Sequence, residues 1–108
     1  MGDMTFNEFQ EEAQKTAVYP QRNALEYLSN GIGGEVGELQ GHIAKFYRAD
    51  MGEFPRELVL KELGDIIWFV SELARLLGVA LGDLAIGNLQ KLKSRQERGV
   101  LQGNGDNR

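Results

Sequence analysis

The spacing of apolar residues is helical along most of the chain, and this constrains the fold more than any other feature. After Pro55, apolar side chains recur at intervals of three and four residues as far as Leu77, which precedes Gly78. Such spacing places them on one broad face of an amphipathic helix. No stretch of the 108 residues sustains the alternation typical of a β-strand. The sequence therefore predicts an all-α fold.

Local start and stop signals divide this pattern into four helices. Thr5 is a candidate N-cap for the first helix, Pro55 suits the first turn of the third, and Asp83 is a candidate N-cap for the fourth. The expected helices cover about residues 5–16, 24–48, 55–77 and 83–98. We expect a single helical domain over residues 1–98 and a polar C-terminal tail over residues 99–108 that is loop or only partly ordered.

Composition narrows the range of functions. The absence of cysteine excludes disulfides, thiolate metal sites and a cysteine nucleophile, and a single histidine, His42, excludes a multi-histidine metal site unless subunits share it. The net charge of −4 disfavours general nucleic-acid binding. No apolar run approaches the roughly 18 residues of a membrane span, and no signal peptide is visible. We expect a cytoplasmic protein that binds neither nucleic acid nor membrane.

Two pairs of acidic residues, each spaced three apart, lie on the second and third helices. Glu62 falls inside the apolar arc of the third helix, and Asp65 lies at its edge. Glu35 lies at the edge of the apolar arc of the second helix, and Glu38 follows it. A carboxylate among core residues must be paired, protonated or bound to metal. If the helices pack antiparallel, the four carboxylates converge on one cavity, whose oxygen ligands suit Mg²⁺ or Mn²⁺.

Each of these features also has an ordinary structural explanation. A single pair of acids three residues apart is usually solvated, and His42 is more simply a surface histidine than a ligand. A stripe of small residues lines the other flank of the second helix, namely Gly33, Gly37, Gly41 and Ala44. Each interior glycine costs roughly 1 kcal/mol of helix stability relative to alanine. The stripe therefore favours the close approach of another helix or, less simply, of a ligand.

The fourth helix carries a polar and basic stripe. It consists of Asn88, Lys91, Arg95 and Arg98, spaced three, four and three residues apart. Its ordinary explanation is a solvated face, or cations placed favourably at a helix C-terminus. Beside an acidic metal cavity, the same stripe would suit the oxygens of a triphosphate.

Trp68 lies on the otherwise polar side of the third helix. Tryptophan is enriched at interface hot spots. We expect it to pack against a second subunit, or else against the first helix or the tail.

Taken together, these motifs resemble those of the MazG-like all-α nucleoside triphosphate pyrophosphohydrolases. The relevant runs are Gly-Gly-Glu-Val-Gly-Glu-Leu (33–39), Lys-Glu-Leu-Gly-Asp-Ile-Ile-Trp-Phe (61–69), Asn88-x-x-Lys91-Leu92-Lys93-x-Arg95 and the tail from Arg98 to Arg108. Many members carry a glutamate where this chain has Gly34. The dCTP pyrophosphatase branch, which this stretch also resembles, has glycine there.

The resemblance implies a Mg²⁺-dependent enzyme, with Mn²⁺ as an alternative, that hydrolyses nucleoside triphosphates, often deoxynucleotides, to the monophosphate and pyrophosphate. It implies metal ligation by Glu35, Glu38, Glu62 and Asp65, with Glu35 or Glu38 also acting on the attacking water. It further implies substrate contacts, from Lys91, Arg95, Asn88, Arg98 and Phe69. Lys91 and Arg95 would hold phosphates, and Phe69 would line the sugar or base pocket. The four-helix bundle would be completed in a homodimer or homotetramer.

Two other functions stay open from the sequence. One is a non-catalytic helical module that senses nucleotides or bridges partners. The other is phosphoribosyl-ATP pyrophosphohydrolase, which shares the acidic architecture.

Overall fold

The computed structural model describes residues 2–108, and within them it contains four α-helices and no strand. The helices are α1 (Phe6–Ala13), α2 (Ala24–Arg48), α3 (Arg56–Leu76) and α4 (Leu81–Glu97). Two 3-10 turns, Gln14–Thr16 and Gln21–Asn23, lie between α1 and α2. The all-α prediction is confirmed. None of the helices described is long and apolar enough to cross a membrane.

The start of α1 and the end of α3 follow local capping rules. Thr5 caps α1 as predicted, because its hydroxyl accepts a hydrogen bond from the Glu8 backbone N–H at 3.0 Å. The Glu8 carboxylate in turn accepts from the Thr5 N–H at 2.8 Å, which completes a capping box. After α3, Gly78 adopts a φ of 77°, and the Val79 N–H donates to the Ala74 carbonyl at 2.9 Å. This is the Schellman geometry that favours glycine at the end of a helix.

The start of α4 corrects the prediction that Asp83 is its N-cap. The helix begins at Leu81, and Asp83 lies in its first turn. Side chains of α1 bond the free N–H groups instead. Asn7 Oδ1 accepts from Gly82 N at 2.8 Å, and Gln10 Oε1 accepts from Leu81 N at 3.1 Å. The cap therefore comes from a distant part of the chain.

Helices α2 and α3 form an antiparallel hairpin that makes up the main body of the chain. The contacting pairs run in opposite directions along the two helices: Gly31 meets Phe69, and His42 lies beside Glu62. This is the arrangement on which the convergence of the acidic pairs depends.

The small core lies where the segment before α2 crosses the hairpin. Tyr19, Ala24 and Leu28 are buried there, with Trp68 and Phe69 of α3 packed against them. The Trp68 indole N–H donates to Thr16 Oγ1 at 2.8 Å, and its ring meets Tyr19 edge-on at 6.4 Å. The expected partners of Trp68 are a second subunit, the first helix or the tail. In the structure, Trp68 contacts the segment that directly follows α1.

A buried ion pair fixes Tyr19 to α3. Glu72 is fully buried, and its carboxylate accepts hydrogen bonds from the Tyr19 hydroxyl at 2.7 Å and from Arg75 at 2.7 and 3.0 Å. Burial acts to raise the pKa of Glu72, but the bonds from Arg75 and Tyr19 outweigh it and lower that pKa. Glu72 is therefore ionised and fully partnered, although its helical position placed it on the polar side of the helix.

One copy of the chain leaves much of its apolar surface exposed. Leu58, Leu63 and Leu77, all in the predicted apolar arc of α3, are 49%, 49% and 66% exposed. The accessible surface is 8119 Å², whereas a compact monomer of this mass exposes about 6000 Å². The radius of gyration is 16.9 Å, against about 13 Å for a compact chain of this length. The apolar arcs are therefore only partly covered within one copy.

Gly31→Ala should destabilise the protein, because a Cβ atom at position 31 would overlap the ring of Phe69. Overpacking of this kind costs about 1–3 kcal/mol, which exceeds the gain of up to about 1 kcal/mol from replacing a helical glycine. The matched control is Gly87→Ala in α4, where an added Cβ meets nothing within 4 Å. Urea denaturation should show a loss for Gly31→Ala and no loss for Gly87→Ala. Equal stability changes at the two positions would contradict this account of the hairpin.

Candidate metal centre

Three carboxylates from the two helices of the hairpin converge on one point. One oxygen from each of Glu35, Glu62 and Asp65 lies within 4.8 Å of the other two. Glu62 and Asp65 are three residues apart on α3 and so share a face. The antiparallel pairing brings Glu35 of α2 opposite them. The structure thus brings together three of the four acids predicted as metal ligands.

Two oxygens of this cluster are buried without a hydrogen-bond partner in the described part of the chain. They are Glu35 Oε2 and Glu62 Oε2. Glu62 is only 6% exposed, in keeping with its position inside the apolar arc. The imidazole of His42 lies beside Glu62, but its Nε2 is 3.9 Å from Glu62 Oε1, beyond hydrogen-bonding distance. A buried carboxylate oxygen without a partner is costly, and a cation would satisfy it.

Glu38, the fourth predicted ligand, adjoins the cluster from the exposed side. The neighbouring carboxyl group of Glu62 raises the pKa of Glu38, and the negative charge of Asp65 acts in the same direction. Two carboxyl groups that share a site favour protonation of one of them in the absence of a cation. Glu38 therefore lies within reach of the cluster without belonging to the closest set of three.

The chemistry of the donors fits a hard divalent cation. Every ligand atom is a carboxylate oxygen, and Mg²⁺ and Mn²⁺ prefer such ligands. Around Mg²⁺, metal–oxygen bonds of about 2.1 Å place ligand oxygens about 3–4 Å apart. The observed spacing, within 4.8 Å, requires only small side-chain movements to reach that geometry. Glu35, Glu62 and Asp65 could therefore hold the metal.

The basic residues of α4 are engaged elsewhere. Arg95 is 4% exposed and donates to Asp106 Oδ1 at 3.0 Å, and Lys91 Nζ lies 3.2 Å from the same oxygen. Arg98 donates to the Arg108 carbonyl at 2.8 Å. Within residues 2–108, no hydrogen bond or ion pair joins these cations to the carboxylate cluster. Segment 99–108, expected to be loop or partly ordered, forms turns that pack on α4.

The two remaining predicted substrate contacts lie in different surroundings. The ring of Phe69 packs over Gly31 and lies 5.8 Å from the ring of Tyr27, both of which belong to α2. Asn88 lines an open groove of about 370 Å³ beside Ile67 and Val70 of α3. The roles of Phe69, Asn88, Lys91, Arg95 and Arg98 in binding substrate stay predictions, as does the boundary of the helical domain at residue 98.

Two residues that the sequence analysis did not predict as site residues contact these clusters in the structure. His42 approaches Glu62, and the signal was available, because His42 follows Glu38 by one helical turn. Asp106 binds Lys91 and Arg95, but it lies in a glycine-rich segment with no periodicity. Nothing in the local sequence indicates that this segment folds back.

Comparison with known proteins supplies the family. Residues 23–100 match the MazG nucleotide pyrophosphohydrolase domain, and this range contains the four acids predicted as metal ligands. The chain belongs to the MazG nucleotide pyrophosphohydrolase family. It is similar to the "Gene 37 protein" of Mycobacterium phage L5, with 39% identity over 109 residues that cover 93% of this chain and 96% of the phage protein. No solved structure matches the chain. Within the MazG family, the relation to the dCTP pyrophosphatase branch stays a prediction.

Glu62→Gln should weaken the binding of Mn²⁺, used as a spectroscopic substitute for Mg²⁺, by at least about tenfold, because it removes a buried charged ligand. The helical fold should persist, since removing an uncompensated buried charge does not destabilise a protein. Electron paramagnetic resonance titration measures the free Mn²⁺, and circular dichroism monitors the fold. Glu57→Gln, whose side chain is 87% exposed in the first turn of α3, is the matched control and should bind normally. Equal Mn²⁺ affinity in the two variants would rule out this centre.

Proposed function

We propose that this chain hydrolyses nucleoside or deoxynucleoside triphosphates between the α and β phosphates, yielding the monophosphate and pyrophosphate in a Mg²⁺-dependent reaction. The observation that carries the proposal is the convergence of Glu35, Glu62 and Asp65, with two unpartnered buried oxygens, in a chain of the MazG family. Mn²⁺ is an alternative metal, because it accepts the same oxygen ligands.

The carboxylates divide the chemical work. Glu35, Glu62 and Asp65 would hold the metal, which when bound neutralises phosphate charge and makes a coordinated water more acidic. Glu38 is exposed beside this set and lies outside the closest group of ligands, which would leave it available to orient the attacking water and accept its proton. Glu35, from the same pair, is the second candidate for that role. Water adds across the bond between the α and β phosphates, and pyrophosphate leaves.

The substrate contacts follow the charge of the ligand. Lys91, Arg95 and Arg98 would hold phosphate oxygens not bound by metal, Asn88 lies on the same stripe of α4, and Phe69 would line the sugar or base pocket. A preference for deoxynucleotides, and for dCTP among them, is supported only by the resemblance of the motifs. The net charge of −4 favours a small phosphorylated substrate bound through metal over nucleic acid.

We also propose that the active form is a homodimer or homotetramer. One copy exposes about 2000 Å² more surface than a compact monomer of its mass, an excess in the range that each partner buries in an obligate interface. The glycine flank of α2 supports the same conclusion, because Cβ atoms added at Gly33, Gly37 and Gly41 would meet nothing within 4 Å. A second copy would cover these surfaces and complete the helical bundle.

Incubation with each of the eight common nucleoside and deoxynucleoside triphosphates in Mg²⁺ tests the reaction. We expect monophosphate and pyrophosphate on ion-exchange analysis, and loss of turnover in EDTA. Diphosphate with orthophosphate would show that a different bond is cleaved. Nucleotide binding without turnover would favour the non-catalytic sensing module. Cleavage of phosphoribosyl-ATP alone would favour a phosphoribosyl-ATP pyrophosphohydrolase.

Light scattering tests the assembly. We expect a mass of two or four times 12.0 kDa. Leu89→Glu, at a 65% exposed position of α4, should shift the protein toward monomer, because a charge would enter an apolar interface. The control is Val18→Glu, at a 93% exposed position between the two 3-10 turns, and should leave the mass unchanged. A monomeric wild-type protein at micromolar concentration would contradict the proposed assembly.

A further inference from the structure

Segment 99–108 places a carboxylate of its own on the basic residues of α4. Asp106 Oδ1 accepts from Arg95 at 3.0 Å and from Lys91 at 3.2 Å, and Arg95 also donates to the Asp106 carbonyl at 3.0 Å. The hydrogen bonds from Arg95 and Lys91 lower the pKa of Asp106, so its carboxylate is ionised near neutral pH. An anionic oxygen from the chain therefore occupies the place where the proposed function requires phosphate.

The segment is built to turn back on the helix that precedes it. Gly99 and Gly105 adopt φ values of 72° and 81°, which are open to glycine at little cost. Arg108 then donates to the carbonyls of Val100, Leu101 and Gly105, which closes the segment around its side chain. This ring of bonds presents Asp106 toward α4.

The attachment of the segment to α4 is polar, and its carboxylate is open to solvent, so a competing anion can replace it. The Asp106 side chain is 82% exposed, so water competes for its carboxylate and weakens its ion pairs, although Arg95 itself is only 5% exposed. Leu101 remains 42% exposed, so the segment buries little apolar surface that would hold it in place. Polar contacts of this kind can be replaced by a competing anion.

Asp106 also satisfies the cations incompletely. Its Oδ1 serves both Lys91 and Arg95, while Arg95 Nε is buried and has no partner within residues 2–108. A phosphate chain offers several charged oxygens and so could bond more of these donors than one carboxylate oxygen does. Arg95 is only 4% exposed and donates two hydrogen bonds to Asp106, so a phosphate would bond Arg95 by replacing Asp106.

We propose that segment 99–108 is a reversible strap that blocks the Lys91–Arg95 pair and is displaced when a phosphorylated ligand binds there. This inference rests on the proposed function for the identity of that ligand. Asp106 competes with the ligand, so the strap weakens the binding of phosphate and promotes its release. A fixed strap that only stabilises α4 is the opposing explanation.

The test uses inorganic pyrophosphate in EDTA, so that metal at the carboxylate cluster does not contribute. The variant is Asp106→Asn, which keeps the size of the side chain and removes its charge. The control is Asp83→Asn, in the exposed first turn of the same helix. Affinity is measured by calorimetry, and the backbone amide signals of Asp106 and Asn107 are followed by nuclear magnetic resonance.

We expect Asp106→Asn to bind pyrophosphate roughly two- to fivefold more tightly than wild type, the scale of one exposed ion pair. Asp83→Asn should match wild type. In the wild-type protein, pyrophosphate should shift the amide signals of residues 106 and 107 and increase their mobility. Unchanged or weaker binding by Asp106→Asn, or amide signals that do not respond to pyrophosphate, would overturn the strap and favour a fixed structural role.

The failure of this inference is distinguishable from that of the proposed function. A protein that hydrolyses triphosphates but shows no displacement of Asp106 refutes the strap alone. A protein whose strap is displaced by pyrophosphate, but which cleaves no nucleotide, supports the strap and refutes the enzymatic proposal.

Discussion

The clustering of acidic side chains between α2 and α3 is the constraint on which the rest of the structure depends. Glu62 is almost fully buried, and Glu35 and Asp65 lie within a few ångströms of it, so like charges accumulate at one level of the hairpin. Such a cluster opposes the pairing of the helices unless a cation is present. Contacts further along the hairpin must hold it together, and the packing of Phe69 over Gly31 is one of these.

A comparison of two buried acids on α3 shows how a carboxylate with a structural role differs from one that could bind a ligand. Glu72 is fully buried, but Tyr19 and Arg75 bond both of its oxygens. Glu62 is buried to a similar extent, yet one of its oxygens has no partner in the described chain. Burial alone does not separate the two residues. Their hydrogen bonds separate them, because the carboxylate of Glu72 is fully partnered and needs no further ligand, whereas that of Glu62 is not.

The sequence predicted the features that depend on neighbours within a few turns. The helices follow from periodicity, the Thr5 cap from its spacing to Glu8, and the meeting of the acid pairs from their spacing and an antiparallel hairpin. The features it missed depend on distant partners. Side chains of α1 cap α4, and for that reason α4 begins at Leu81 and not at Asp83. The fold-back that brings Asp106 onto α4 depends on glycine conformations and on hydrogen bonds to carbonyls, neither of which gives a periodic signal. Periodicity also identified the apolar arcs, but it does not report how much of each arc the other helices of the chain cover.

The two charged clusters favour ions of opposite sign, and a ligand that carries both signs of charge would complement both of them. The carboxylates around Glu62 favour a cation, while the Lys91–Arg95 pair binds a carboxylate from the chain itself. A free metal ion would satisfy only the first cluster, and a free phosphate only the second. A metal–triphosphate complex carries both charges on one molecule, so it would complement both clusters if the assembly brings them to the same substrate. On this view, Asp106 neutralises Lys91 and Arg95 while no substrate is bound. The unpartnered oxygens of Glu35 and Glu62 remain available to a metal ion.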